Sequence, residues 1–123
     1  MSTILVGEDN AVNRELVREL LESFGHEVIE AGNGREVLER LYKVKTDLVL
    51  LDIQMPVLDG YAVLRVIRDD EKLKTMPVVA LTAFAMRGDR EKALDAGFDA
   101  HLSKPLDVQK LKSLTKRLLE ENN

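Results

Sequence analysis

Several short apolar runs in this sequence end on side chains able to do chemistry. "TILVG" is followed by Glu8 and Asp9, "LVLL" by Asp52, "VVAL" by Thr82, and "DAHLSKP" carries Ser103 and Lys104. Brought together, three carboxylates repel one another, and at ordinary protein dielectric each close pair costs on the order of 2 to 4 kcal/mol. Lys104 offsets one charge. The remainder suits a hard divalent cation held by oxygen ligands, Mg²⁺ keeping several waters, with Mn²⁺ as its substitute. A cation flanked by carboxylate, hydroxyl and ammonium is equipment for phosphoryl transfer. Cation and lysine neutralise the oxygens of the moving group, Thr82 donates a hydrogen bond to it, and one carboxylate is the nucleophile. Asp52 is the best candidate, because it ends a central strand alone while Glu8 and Asp9 form a pair.

These side chains meet only if their runs are neighbouring strands that end at one edge. The rest of the pattern supports that arrangement. Thr3 to Gly7 reads as a strand, and the segment after it carries Val12, Leu16, Leu20 and Phe24 four residues apart, an amphipathic helix closed near Gly25. "HEVIEA" is a second strand, and Asn33 caps a helix bearing Val37, Leu38, Leu41 and Val44. "DLVLLD" is a third strand, wholly apolar before its acid and therefore buried on both faces. A helix with Val63, Leu64 and Ile67 follows, starting at Asp59-Gly60. Pro77 opens "PVVALTA", and a polar, Ala-rich helix from about Arg87 stops at Gly97. "DAHLSKP" is the fifth strand, and Asp107 caps a last helix with Val108, Leu111, Leu114 and Leu118. Strands alternating with helices at this spacing imply an α/β fold, a parallel sheet covered on both faces with right-handed crossovers. In such sheets ligands bind beyond the carboxyl ends of the strands, where these polar residues lie.

Length and composition set the bounds. A chain of 123 residues, 45% of them hydrophobic, fits one domain spanning 1–123. Its formal charge of −4 argues against a bulk nucleic-acid or anionic-membrane binder. The absence of cysteine excludes disulfides, thiolate zinc sites and cysteine nucleophiles. No apolar run approaches the roughly 18 residues of a membrane span, and acids arrive too early for a signal peptide. A cytoplasmic location is expected. "GNGREV" imitates a dinucleotide fingerprint but lacks the third glycine and follows the second strand, so it is discounted. Lys110, Lys112, Lys116 and Arg117 read as a solvated face.

The acidic pair "ED" after the first strand, "LLDIQMPVLDG", "ALTAFAM" and "LSKP" together resemble the receiver domain of bacterial two-component response regulators, over essentially the whole chain. Within that family the chain is similar to the stand-alone receivers of the CheY and DivK kind, since little follows the fifth helix. Met1, just before the first strand, favours a whole protein. The resemblance implies a doubly wound, flavodoxin-like three-layer sandwich with five parallel strands in the order 2-1-3-4-5. It implies Asp52 as phosphoacceptor, Mg²⁺ held by Asp9, Asp52 and the backbone carbonyl of Gln54, and Glu8 assisting through water. Thr82 and Lys104 would hold the phosphoryl group, and Gln54 and Phe84 would flank the path of the water that removes it. The phosphodonor would be a histidine kinase or histidine phosphotransfer protein, and a downstream protein would read a changed surface of helix 4, strand 5 and helix 5. A monomer, or a weak dimer through that same surface, is expected. The chain would not be an enzyme beyond its own phosphorylation and dephosphorylation. His101 stands where the family usually has Tyr or Phe as a rotating switch, and Gly7 stands where a bulkier apolar residue is common.

Each position has a plainer reading. Asp52 caps a turn, Glu8 and Asp9 complement a helix N-terminus capped by Asn10, Thr82 is an ordinary β-branched strand residue, Lys104 is a loop charge, and His101 is a surface residue. Two other functions use similar residues. A haloacid-dehalogenase-like phosphatase also has a strand-end Asp nucleophile and Mg²⁺, but needs an acid two residues on, where Gln54 stands. A receiver-like protein that binds partners without phosphorylation would not need the full set of acids, Thr and Lys.

Overall fold

The computed structural model describes residues 2–83 and 88–121. Strands and helices alternate: β1 (Thr3–Gly7), α1 (Ala11–Ser23), β2 (Glu27–Ala31), α2 (Gly34–Lys43), β3 (Leu48–Asp52), α3 (Gly60–Asp69), β4 (Val78–Thr82), α4 (Asp89–Ala96), β5 (Ala100–Ser103) and α5 (Val108–Glu121). The five strands form one parallel sheet in the order β2-β1-β3-β4-β5. β3 lies at its centre with every residue buried, which is why its sequence is a continuous apolar run rather than an alternation.

Period-two alternation divides the core into two layers. Leu5, Val49, Leu51, Val78 and Ala80 face α2, α3 and α4, packing on Val37, Val63, Leu64, Ile67 and Ala93. Ile4, Val6, Leu48, Leu50, Val79 and Leu81 face α1 and α5, packing on Val17, Leu21, Leu111 and Leu118. The result is the three-layer sandwich expected from the alternation of elements. Helix starts follow local chemistry: the side chains of Asn10, Asn33, Asp59 and Asp107 each accept a hydrogen bond from a backbone N–H three residues on. Asn33 capping α2 supports discounting the dinucleotide fingerprint. Gly25, just past the end of α1, has φ 95, and Gly97 ends α4 at φ 115.

The buried face of α1 differs from the one its spacing suggested. Val12 is 76% and Leu16 55% exposed, while Val17 and Leu21 are buried. Residues at strict four-residue spacing drift about 40° per step around a helix of 3.6 residues per turn, so a stripe read that way leaves the core face within three steps. Val108 of α5 and Val44 after α2, also read as inward, are 44% and 41% exposed. α4 begins at Asp89; the expected start at about Arg87 lies outside the described residues. Within α4 only Ala93 is buried.

Candidate functional site

Strand register sets the edge at which the polar residues gather. Gly7 lies opposite Leu51, Asp52 opposite Leu81, and Thr82 opposite Ser103. Glu8 continues the alternation of Ile4 and Val6, and Asp52 that of Leu48 and Leu50, so both carboxylates leave the sheet toward the α1 and α5 layer. Glu8 is 1% and Asp52 4% exposed, whereas Asp9, one residue further along, is exposed. One carboxylate oxygen from each of Glu8, Asp9 and Asp52 lies within 4.8 Å of the others.

Lys104 joins the two buried acids. Its Nζ pairs with Glu8 Oε1 and donates to Asp52 Oδ2 at 3.1 Å. Its backbone N–H donates to the Thr82 carbonyl at 2.8 Å, tying the end of β5 to the end of β4. The Lys104–Pro105 peptide is cis, where trans is the commoner default. Burial by itself lowers the ammonium's pKa, but hydrogen bonds and attraction from Glu8 and Asp52 outweigh it and hold Lys104 above its ordinary 10.5. It is therefore a fixed cation at neutral pH. Three carboxylates against this one ammonium leave two formal negative charges, and all the donors are oxygens. That combination fits a hard dication.

The backbone around the acids is held closely. Asp52 Oδ1 accepts from the Gln54 N–H at 2.9 Å, so the turn-cap reading is true and orients the carboxylate as well. The Gly60 N–H donates to the Ile53 carbonyl at 2.9 Å. A Cβ on Gly60 would stand 2.7 Å from the Asp52 carbonyl oxygen and 2.7 Å from Ile53 Cα, so only glycine lets α3 begin this close to the strand. At Gly7 a Cβ would meet side chains instead, Val37 Cγ2 at 2.7 Å and Leu51 Cδ1 at 3.0 Å, so a larger residue there needs those two to repack. Val57, in the loop between Asp52 and α3, is 77% exposed and has φ 71, a strained conformation for a β-branched residue.

Glu8, Asp9, Asp52 and Lys104 thus converge, with the end of β4 at Thr82 beside them, and Thr82 is 5% exposed. The Gln54 backbone adjoins Asp52 while its side chain is exposed. Phe84 lies outside the described residues. His101 is set back from the cluster, paired with Ala80 in the sheet, and its buried Nε2 has no hydrogen-bond partner among the described residues. It lines a groove of ≈ 690 Å³ between α4 and α5 together with Arg90, Leu94, Leu102, Lys110 and Arg117.

Sequence reading missed Arg14. Its guanidinium donates through Nη1 to the Glu8 carbonyl at 2.9 Å and through Nε to Glu30 Oε1 at 3.1 Å. The available signal was Glu30 itself, an acid inside the half-buried strand "EVIEA", which calls for a cationic partner.

Comparison with known proteins agrees with this arrangement. Residues 4–116 match the response regulator receiver domain family. The polar-differentiation response regulator DivK of Brucella anthropi is 42% identical over 106 residues, 86% of each chain. The receiver domain of sensor histidine kinase PA1611 from Pseudomonas aeruginosa, with a magnesium ion coordinated in its active site cleft, superimposes with a TM-score of 0.89. It is 36% identical, with 97% of this chain and 98% of that one covered. Vibrio cholerae chemotaxis protein CheY4 gives a TM-score of 0.88 at 27% identity, over 96% and 98% of the two chains. Neither rival function is favoured by these likenesses. From the order of its strands, the acids gathered at their ends and the span of the match, the chain belongs to the response regulator receiver domain family.

Proposed function

We propose that the chain is a phosphorylation-dependent signalling switch in which Asp52 accepts the phosphoryl group. The observation that carries this reading is the convergence on buried Asp52 of two further carboxylates and one half-buried lysine at the end of the central strand. A bound Mg²⁺ would supply charge neutralisation of the phosphoryl oxygens. Asp9, Asp52 and the Gln54 carbonyl would hold that ion. Glu8, engaged by Lys104 through Oε1 and by the Asn10 N–H through Oε2, suits a supporting place acting through water.

In the transfer an Asp52 oxygen forms a bond to phosphorus as the donor's bond to phosphorus breaks. Lys104 Nζ, already 3.1 Å from Asp52 Oδ2, follows the incoming charge, and Thr82 turns its hydroxyl toward it. Attack of water on the same phosphorus returns the carboxylate and releases phosphate, and Gln54 and Phe84 set that rate. The chain's intrinsic catalysis is limited to these two steps.

Receiver domains take phosphoryl groups from histidine kinases. Val12 and Leu16, exposed on α1 beside the acids, supply apolar surface for the protein that delivers the group. The added charge of about −1.5 to −2 then biases a two-state surface of α4, β5 and α5, with His101 moving in the space that Thr82 vacates. α4 suits this role because it buries so little.

The test is acetyl phosphate with Mg²⁺, followed by mapping of the adduct, and beryllofluoride titration followed by amide NMR. Labelling confined to Asp52 and lost in Asp52→Ala, with shifts reaching Asp89 to Leu102 only when Mg²⁺ is present, is expected. Full labelling of Asp52→Ala would sink the assignment.

A further inference from the structure

Arg14 points its charge at the acid pair without touching a carboxylate of that pair. Its Nη1 donates to the backbone carbonyl of Glu8 at 2.9 Å, while its Nε is held by Glu30 Oε1 at 3.1 Å. The other oxygen of Glu30 is held in turn by Arg18 Nη1 at 2.8 Å. The strand carboxylate thus stands between two arginines one helical turn apart, and the Oε1 bond is the one that aims Arg14. Arg14 is 23% exposed in its side chain, so this pair is not an ordinary solvated surface bridge.

The bonded atom is what matters. The Glu8 carbonyl belongs to the peptide group joining Glu8 to Asp9, and that planar unit carries the Cα atoms of both residues. Holding the direction of the carbonyl restricts the backbone positions from which the two carboxylates extend. The preceding peptide is already fixed, since the Glu8 N–H donates to the Ala31 carbonyl at 3.0 Å. From these contacts we infer that Arg14, aimed by Glu30, is a positioning residue for the acid pair, setting the Asp9 carboxylate where a divalent cation can use it together with Asp52. The inference rests on the reading of Glu8, Asp9 and Asp52 as a metal site.

Electrostatics alone makes the opposite forecast, and that opposition makes the inference testable. A cation near an acidic cluster competes with a metal ion, so removing Arg14 for its charge alone strengthens Mg²⁺ binding. Removing it as a positioning residue weakens binding, by roughly tenfold on the scale of residues that orient metal ligands from behind.

Mg²⁺ affinity is measured by calorimetry for wild type, Arg14→Ala, Arg14→Gln, Arg14→Lys and Arg18→Ala, together with hydrogen exchange at the Asp9 and Asn10 amides in metal-free protein. Arg14→Ala is expected to lose about tenfold in affinity and to exchange faster at both amides. Arg14→Gln and Arg14→Lys, which keep a donor, should recover part of each effect. Arg18→Ala, which loosens the same α1–β2 contact without touching Glu8, should stay within about twofold of wild type. Unchanged or tighter Mg²⁺ binding in Arg14→Ala overturns the inference, as does an equal loss in Arg18→Ala. If wild type binds no Mg²⁺, the metal-site reading falls, and with it the claim about the cation. Unchanged exchange in metal-free Arg14→Ala overturns the positioning role by itself.

Discussion

Asp9 contributes to the site by being costly. It is an exposed acid whose carboxylate lies within 4.8 Å of the buried Glu8 and Asp52, while Lys104 is committed to those two. Without metal it is a repulsive group, and under the proposed function it would be a ligand of the bound ion. Asp9→Asn should therefore stabilise the metal-free fold by about 1 kcal/mol and weaken Mg²⁺ binding at least tenfold. Urea titrations with and without Mg²⁺ measure both, and a mutant less stable without metal would refute the repulsion argument. Val57 is a second residue held against its preference. Its φ of 71 costs a β-branched side chain what glycine avoids, and the side chain is 77% exposed. Val57→Gly should gain about 1 kcal/mol in the same titrations, and a loss would show that the loop is held by that side chain instead.

Among the elements, the approach of α3 to β3 decides how Asp52 is presented. The N-terminus of α3 rests on the backbone of Asp52 and Ile53, with Gly60 in the gap and Asp59 capping the helix through the Ala62 N–H at 2.9 Å. An alanine at 60 would press 2.7 Å from backbone atoms, which cannot rotate aside as a flexible side chain can. Gly60→Ala is expected to cost about 1 to 3 kcal/mol and to slow phosphorylation by acetyl phosphate, because the strain falls on the strand end that carries Asp52, the proposed acceptor. Denaturation and labelling kinetics together check this. A variant destabilised but labelled at the wild-type rate would mean that the strain relaxes into α3. The sequence showed Asp59-Gly60 as a turn and helix start. It could not show that the glycine faces the backbone of Asp52, because that contact joins residues brought together by chain reversal.

At the level of the molecule, the two histidines give stability a slope near neutral pH. Burial lowers the His101 pKa below its ordinary 6.5, with Arg90 adding to the effect and Asp89 opposing it. Burial and the N-terminal amine lower His26 likewise. A histidine whose folded pKa is depressed binds its proton more readily in the unfolded chain. Its contribution is complete above 6.5 and is lost as pH falls through the lower folded value. Lys104 behaves oppositely. Its pKa is raised above 10.5, so its contribution is complete below that value and is lost only as pH rises through the folded pKa, outside the neutral range. Urea unfolding at about pH 8 and pH 5.5 should show wild type weakening toward acid, and His101→Phe weakening less. His101→Phe should also match or exceed wild type at pH 8, because it removes a buried Nε2 that has no partner among the described residues. An unchanged acid slope in the mutant would assign the whole effect to His26 and the carboxylates.

The sequence by itself determined the alternation of strand and helix, the helix caps at Asn10, Asn33, Asp59 and Asp107, and the placement of Glu8, Asp9, Asp52, Thr82 and Lys104 at strand ends. Those features rest on local periodicity and on side chains bonding to backbone three residues away, so neighbouring residues suffice to read them. Only the tertiary structure decided which face of α1 is buried, because strict four-residue spacing drifts round the helix and the sheet selects Val17 and Leu21 over Val12 and Leu16. It alone showed what Gly7 accommodates, the side chains of Val37 and Leu51 from two other elements packed close over it. It alone placed Arg14 on the carbonyl between the paired acids, because a backbone acceptor is marked by no residue type, and His101 in the groove of α4 and α5, because that groove is assembled from separate elements.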